Sequence, residues 1–325
     1  MIKAEGLSKT YRVKQKKHFY SRASIKHVEA VKKVDIEIDE GKLIGLLGIN
    51  GAGKTTVIKM LATLLAPTSG SISIDGINAI ADPRPIKRIV NMITGGERNI
   101  YWRLTGRENL NYFSKLYGYD NKTSHDMVEK ILAIVDLADA ADQPVEQYSK
   151  GMKQRLQIAR GLINDPKYVF LDEPTLGLDI VIAKELRAYI KKLALQEKKG
   201  ILLTTHYIAE AEELCDYIYI IHHGEIIAQG CPDDLKSRYG QKYRVLFEVD
   251  FISDLLKDAL RAMLDNNIIC TLDIDEVVKT IEITGVNDFL ERSLAEIQKS
   301  TSSLKRFQVY EQSLEDAVFA LLQEG

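Results

Sequence analysis

Cysteine is scarce in this chain. Its 325 residues include three, Cys215, Cys231 and Cys270, which are far apart, odd in number and in no C-x-x-C pair. This spacing excludes a disulfide scaffold or a zinc ribbon as the organising feature and fits a reducing compartment. An excess of either charge is also missing, since 44 Lys and Arg face 46 Asp and Glu for a net charge of −2. That balance argues against a chain built wholly for nucleic acid, although a local basic patch can still sit within it. Met1–Gly6 lacks the apolar core of a secretory signal, and no apolar run approaches the length of a membrane span. Any membrane role is therefore expected to come through a partner. The length fits two domains, and the 45% hydrophobic and 28% charged content is ordinary for a globular protein.

The stretch that organises the chain is Gly48-Ile49-Asn50-Gly51-Ala52-Gly53-Lys54-Thr55-Thr56. It has the G-x-x-x-x-G-K-[ST] pattern of a phosphate loop. Glycine is needed where the backbone turns tightly and approaches phosphate oxygens. The loop N–H groups and the start of the next helix form an anion site, Lys54 adds a full positive charge, and the Thr55 hydroxyl is the expected Mg²⁺ ligand. The context supports this reading. Leu43–Leu47 is a short buried strand, and Val57, Ile58, Leu61, Leu64 and Leu65 recur at helical spacing.

Upstream, residues 2–11 are expected to form a strand carrying Tyr11, either an adenine-stacking ring or an ordinary sheet aromatic. Residues 12–33 are basic with interleaved Phe19 and Tyr20; a solvated hairpin extension is the favoured reading, with anionic lipid or nucleic acid as other contacts for such a patch. Residues 107–138 look largely helical, and Tyr112, Phe113, Leu116 and Tyr117 are expected in its core. Ser149 is placed as the N-cap of a helix that includes Gly151, and its free end is either a second anion site or a plain capped start. Tyr168–Leu171 leads as a buried strand into Asp172 and Glu173. The first acid is where a Mg²⁺-holding carboxylate belongs, and the second can accept a proton from an attacking water. Gly177-Leu178-Asp179 is a turn before a helix over roughly 181–197. Gly200–Thr205 is another buried strand, and His206 at its end is within reach of a γ-phosphate. His222 and His223 read as hairpin residues. From residue 239 the pattern becomes β-α-β-β-α-β followed by a helix, which predicts a small α+β domain of ferredoxin-like type.

These motifs, in this order, resemble the nucleotide-binding subunit of an ABC transporter over about residues 2–238. The resemblance implies an α/β P-loop NTPase (ABC ATPase) fold with an antiparallel β subdomain, a helical subdomain at about 95–160 and, at 239–325, an accessory domain. It implies roles for individual residues. Tyr11 resembles the adenine-stacking aromatic, Gly48 to Thr56 the Walker A loop, and Ser149 and Gly151 the signature motif. Asp172 resembles the Walker B carboxylate, Glu173 the catalytic base, Asp179 the D-loop residue and His206 the switch histidine. The implied ligands are ATP and Mg²⁺. The implied partners are membrane-spanning permease subunits and a second ATPase subunit, in a homodimer or pseudo-dimer on the cytoplasmic face of the membrane. There are departures: Lys150 and Met152 replace a signature glycine and glutamine, and Gly96, with Glu97 beside it, stands where the Q-loop glutamine belongs. Residues 95–109 and 313–319 look like the exporter branch, and Trp102 is either a core residue or part of the groove that accepts the permease's coupling helix.

A soluble ABC-type ATPase acting on nucleic acid or ribosomes is the alternative, supported only by residues 12–33. A P-loop kinase is disfavoured because the signature helix and strand-end histidine have no role there.

Overall fold

The fold is that of a computed structural model describing residues 1–15, 24–94, 100–239, 243–285, 289–300, 303–310 and 313–324. It consists of two compact units, Met1–Pro232 and Asp233–Gly325, dividing a few residues before the change of pattern expected at 238/239.

The first unit opens with a long hairpin, β1 (Ile2–Gln15) and β2 (Ser24–Ile38). β3 (Leu43–Leu47), α1 (Lys54–Leu61), β4 (Ser69–Ile74), β5 (Ile77–Asn78), α2 (Pro83–Ile89) and β6 (Val90–Thr94) follow. The helical stretch contains α3 (Gly106–Leu116), α4 (Asn121–Ile134), a 3₁₀ turn at Val145–Gln147 and α5 (Lys150–Leu162). β7 (Tyr168–Asp172), α6 (Ile180–Leu195), β8 (Gly200–Thr205), α7 (Ile208–Leu214), β9 (Tyr217–His222) and β10 (Glu225–Gly230) complete it.

Two sheets result. One is antiparallel, in the order β2-β1-β4-β5, and the other runs β10-β9-β3-β8-β7-β6. In the antiparallel sheet Ile2, Ala4, Ile36, Ile38, Ile72 and Ile74 point inward, and they share a core with Val57, Ile58 and Leu61 of α1. Alternation of apolar and polar residues is what a sheet buried on one face requires. In the second sheet β3 and β8 are buried throughout, β8 ending in two buried threonines, and all neighbours from β9 to β6 are parallel. The parallel arrangement brings the carboxyl ends of β3, β7 and β8 to one edge, the usual place for a ligand in an open α/β sheet.

Two expectations are corrected and one is met. α1 stops at Leu61, short of the apolar spacing at Leu64 and Leu65, because Thr63 turns the chain with a φ of 58°. β1 runs past residue 11 and pairs with β2 out to Gln15↔Ser24, so the described part of 12–33 is a paired ribbon, in agreement with the hairpin extension. Tyr112, Leu116 and Tyr117 are exposed instead of lying in the core. An apolar stripe reports which side of a helix is apolar, not whether this chain covers it.

The second unit contains most of α8 (Pro232–Tyr239), then β11 (Tyr243–Val249), α9 (Asp254–Asp265), β12 (Ile269–Asp275), β13 (Thr280–Gly285), α10 (Phe289–Lys299), β14 (Leu304–Tyr310) and α11 (Leu314–Glu324). Its sheet order is β12-β13-β11-β14, with every neighbouring pair antiparallel. Val245, Phe247, Val249, Ile281 and Ile283 form one core with Leu256 and Leu260 of α9 and Phe289 and Ile297 of α10. This unit is a small α+β domain.

Candidate functional site

The loop after β3 is shaped by its glycines. A side chain at Gly48 would place its first carbon 2.3 Å from the Ile221 carbonyl oxygen. Gly51 and Gly53 have φ of 84° and 112°, in the left-handed region that L side chains resist. The neighbouring hairpin turn braces the loop, with the Gly224 N–H donating to the Ala52 carbonyl at 3.0 Å. At the start of α1 no side chain caps the helix, so its first N–H groups face the loop without a side-chain acceptor. Asn50 and Gly51 are exposed at the loop, Ala52 is buried beneath it, and Thr56 is partly buried behind Thr55.

Lys54 is 5% exposed. Its ammonium donates to the Gly48 carbonyl at 2.7 Å and the Ile49 carbonyl at 3.2 Å, and it pairs with Glu173 at 3.2 Å. A buried cation is costly without such partners. The other carboxylate oxygen of Glu173 is 2.5 Å from Nδ1 of His206. Glu173 itself has a φ of 52°, a conformation that costs a residue with a β-carbon about 1–2 kcal/mol. Its backbone N–H, directed at the Thr204 carbonyl at 3.1 Å, helps to hold it there.

Thr55 and Asp172 face each other, with the hydroxyl 3.2 and 3.1 Å from the two carboxylate oxygens. Thr204 donates to the same carboxylate at 2.7 Å. A hydroxyl opposite a carboxylate is a fitting oxygen donor set for Mg²⁺, which takes few protein ligands and completes its shell with water and phosphate oxygens. Among the described residues no group of three or more His, Cys, Asp or Glu could hold a metal by itself. The phosphate fit rests on the glycine-shaped loop, the helix end and Lys54.

A second group lies at the start of α5. Ser149 caps the helix by accepting from the Met152 N–H at 3.2 Å. Gly151 packs so closely on α6 that an added β-carbon would lie 2.8 Å from the Ile182 side chain. Asp179 caps α6, accepting from the Ile182 N–H at 2.9 Å, and Lys150 donates to the Gly177 carbonyl. Leu176, Ile180 and Val181 stand exposed around Asp179, Ile180 by 85%.

Thus Lys54, Thr55, Asp172, Glu173 and His206 are brought together, while Ser149, Gly151 and Asp179 gather around the α5–α6 contact. Tyr11 lies on β1 opposite Val28, partly exposed, with the Lys9 ammonium 5.7 Å from its ring centre. Trp102 is 46% exposed beneath the Lys153 ammonium, which removes the core reading. Gly96 and Glu97 lie outside the described residues. Two polar groups were missed by sequence reasoning: Thr204, which holds both Asp172 and Glu173, and Glu210, buried on α7. Their signal was weak, since a threonine in an apolar strand and a glutamate in a helix look ordinary.

A family model described as ABC transporter matches residues 31–176. The ATP-binding protein NatA of Bacillus subtilis is 40% identical over 210 residues, covering 65% of this chain and 85% of that protein. The chain belongs to the ABC transporter family. The doxorubicin resistance ATP-binding protein DrrA of Mycobacterium tuberculosis is 38% identical over 248 residues, covering 73% of this chain and 74% of that one. Among solved structures, the ATP-binding cassette MJ0796, a dimer bound to ADP and Pi, superposes with a TM-score of 0.60 at 26% identity, covering 71% of this chain and 98% of that one. This ABC subunit is accordingly the ATP-binding, ATP-hydrolysing part of a transport system, with a P-loop NTPase fold. Among its described residues no helix is long and apolar enough to cross a membrane.

Proposed function

We propose that the phosphate loop from Gly48 to Thr56 cradles the phosphates of ATP and that the Lys54–Glu173–His206 cluster hydrolyses it. The convergence of these three side chains, at 3.2 and 2.5 Å, carries the reading. ATP would take Lys54 as its partner in place of Glu173, leaving the carboxylate to polarise a water held by His206. Thr55 and Asp172 would hold Mg²⁺, which neutralises charge on the phosphates when bound. Tyr11 would stack on the adenine.

Ser149 and Gly151 of one subunit would close on the nucleotide of a second copy, with Asp179 at the interface. Exposed Leu176, Ile180 and Val181 around Asp179 support such a contact, because apolar side chains left in water favour burial against a partner. Closure with ATP and opening after hydrolysis would move membrane-spanning permease subunits, which place the protein on the cytoplasmic face of the membrane. The DrrA name, a drug-resistance protein, favours an exporter. The C-terminal unit reads as a ferredoxin-like accessory domain, on its β-α-β-β-α-β order and antiparallel sheet. Contact of the basic segment 12–33 with anionic lipid is the secondary part of this reading.

Purifying the full chain at native levels in mild detergent, with mass identification of what accompanies it, tests the assignment. A multispanning membrane protein is the expected companion. Ribosomal proteins or nucleic acid without one would overturn the transporter reading and move attention to residues 12–33.

A further inference from the structure

Thr204 is the next-to-last residue of β8 and is fully buried. Parallel pairing sets it across from Asp172, the last residue of β7. Its hydroxyl makes two hydrogen bonds that run in opposite directions. The oxygen accepts from the Glu173 backbone N–H at 3.2 Å, and the hydrogen is donated to Oδ1 of Asp172 at 2.7 Å. This polarity is fixed, because an N–H only donates and a carboxylate only accepts. At 2.7 Å the second bond has the length expected of a hydroxyl on a carboxylate. The Thr55 hydroxyl faces the same group at 3.2 and 3.1 Å, and so does not distinguish its two oxygens. Thr204 does, by engaging Oδ1. Its β-branched side chain is stiff about χ1, and its backbone is held in the ladder between β3 and β7.

We infer that Thr204 is a positioning residue for Mg²⁺, whose hydroxyl sets the orientation of the Asp172 carboxylate toward Thr55 and ties it to the Glu173 backbone. One stiff, buried hydroxyl thus joins the carboxylate that would hold the metal to the main chain of the residue that would act as base. Groups that orient a metal-binding side chain through hydrogen bonds typically matter about tenfold to a hundredfold for metal affinity. Valine at this position keeps the branched shape but puts a methyl where the hydroxyl was, so Asp172 loses its donor. The Glu173 N–H keeps the Thr204 carbonyl as an acceptor at 3.1 Å, so the main loss falls on Asp172.

The inference rests on the assignment of Asp172 to Mg²⁺, so Asp172→Asn is measured alongside. The test is isothermal titration of the full chain with the non-hydrolysable imido analogue of ATP, in EDTA and across a series of Mg²⁺ concentrations. Thr204→Val is expected to raise the Mg²⁺ concentration needed to tighten the nucleotide half-maximally by about tenfold or more. Affinity in EDTA should stay within about twofold, because the phosphate loop and Lys54 are untouched. Thr204→Ser, which keeps the hydroxyl, is expected to bring the Mg²⁺ midpoint back to within about threefold of wild type. Should the valine variant not fold, Thr204→Ala, which leaves space instead of a methyl beside Asp172, is read in its place with the same expected shift. A threonine that merely packs β7 against β8 would give the opposite pattern, a lower melting temperature with an unchanged Mg²⁺ midpoint. That pattern, or a serine variant as impaired as valine, would overturn the inference. If Asp172→Asn has lost its Mg²⁺ response in those cases, the inference fails alone. A wild-type chain without a Mg²⁺ response, or an Asp172→Asn chain that keeps it in full, would instead overturn the metal assignment, and this inference with it.

Discussion

Glu173→Gln is expected to abolish turnover of ATP while strengthening its binding. Glu173 is the counterion of a lysine that is 5% exposed, at 3.2 Å. The phosphates of ATP need that same ammonium, so the carboxylate competes with substrate until it is displaced. Glutamine keeps the shape and a weaker contact but carries no charge and cannot accept a proton from water. Loss of a general base costs about a hundredfold to ten-thousandfold in rate. Removing a competing charged hydrogen bond, at about 1.5–3 kcal/mol, should tighten ATP by about tenfold or more. Single-turnover hydrolysis and a titration with ATP read the two effects separately. Normal hydrolysis would remove Glu173 from the chemistry, and weaker binding would show that it helps to hold the nucleotide.

Lys54→Ala should reduce affinity for ATP and ADP by about a hundredfold or more. The ammonium is the one full positive charge of the cluster, and contacts between charged groups and phosphate are the strong class of hydrogen bond. Its removal also leaves Glu173 without its buried counterion, so an anion would remain facing the incoming phosphates. Both losses act in the same direction. Isothermal titration with ATP and with ADP checks the result, and melting curves without nucleotide control for folding. Unchanged affinity would contradict the phosphate-loop assignment outright.

Most of this site is legible in sequence because each part is local. A glycine loop between a buried strand and a helix, an acid pair ending one apolar strand and a histidine ending another are each contiguous. Parallel pairing of β3, β7 and β8 then brings those strand ends to one edge. What is hidden depends on three-dimensional proximity between segments without special composition. Thr204 touches Asp172 across neighbouring strands, and Glu210 becomes unusual only when its burial is known. The exposed Tyr112, Leu116 and Tyr117 show the converse, an apolar helix pattern that this chain does not cover. Leu64 carried a helical spacing beyond the end of its helix, because one left-handed residue, Thr63, redirected the chain. Lys150 was visible as a departure from the family pattern, but its contact with the Gly177 carbonyl required the fold.

In the proposed mechanism the signature helix of a second copy completes the nucleotide site. Sedimentation of the Glu173→Gln chain with and without ATP, repeated after adding Ser149→Arg, tests it most directly. Ser149 is exposed, so the added arginine should leave the core intact while obstructing the helix end. The expected result is a monomer without nucleotide, a dimer with ATP, and a monomer that still binds ATP when Ser149 is replaced. A chain that binds ATP and stays monomeric, or a dimer indifferent to Ser149→Arg, would contradict it.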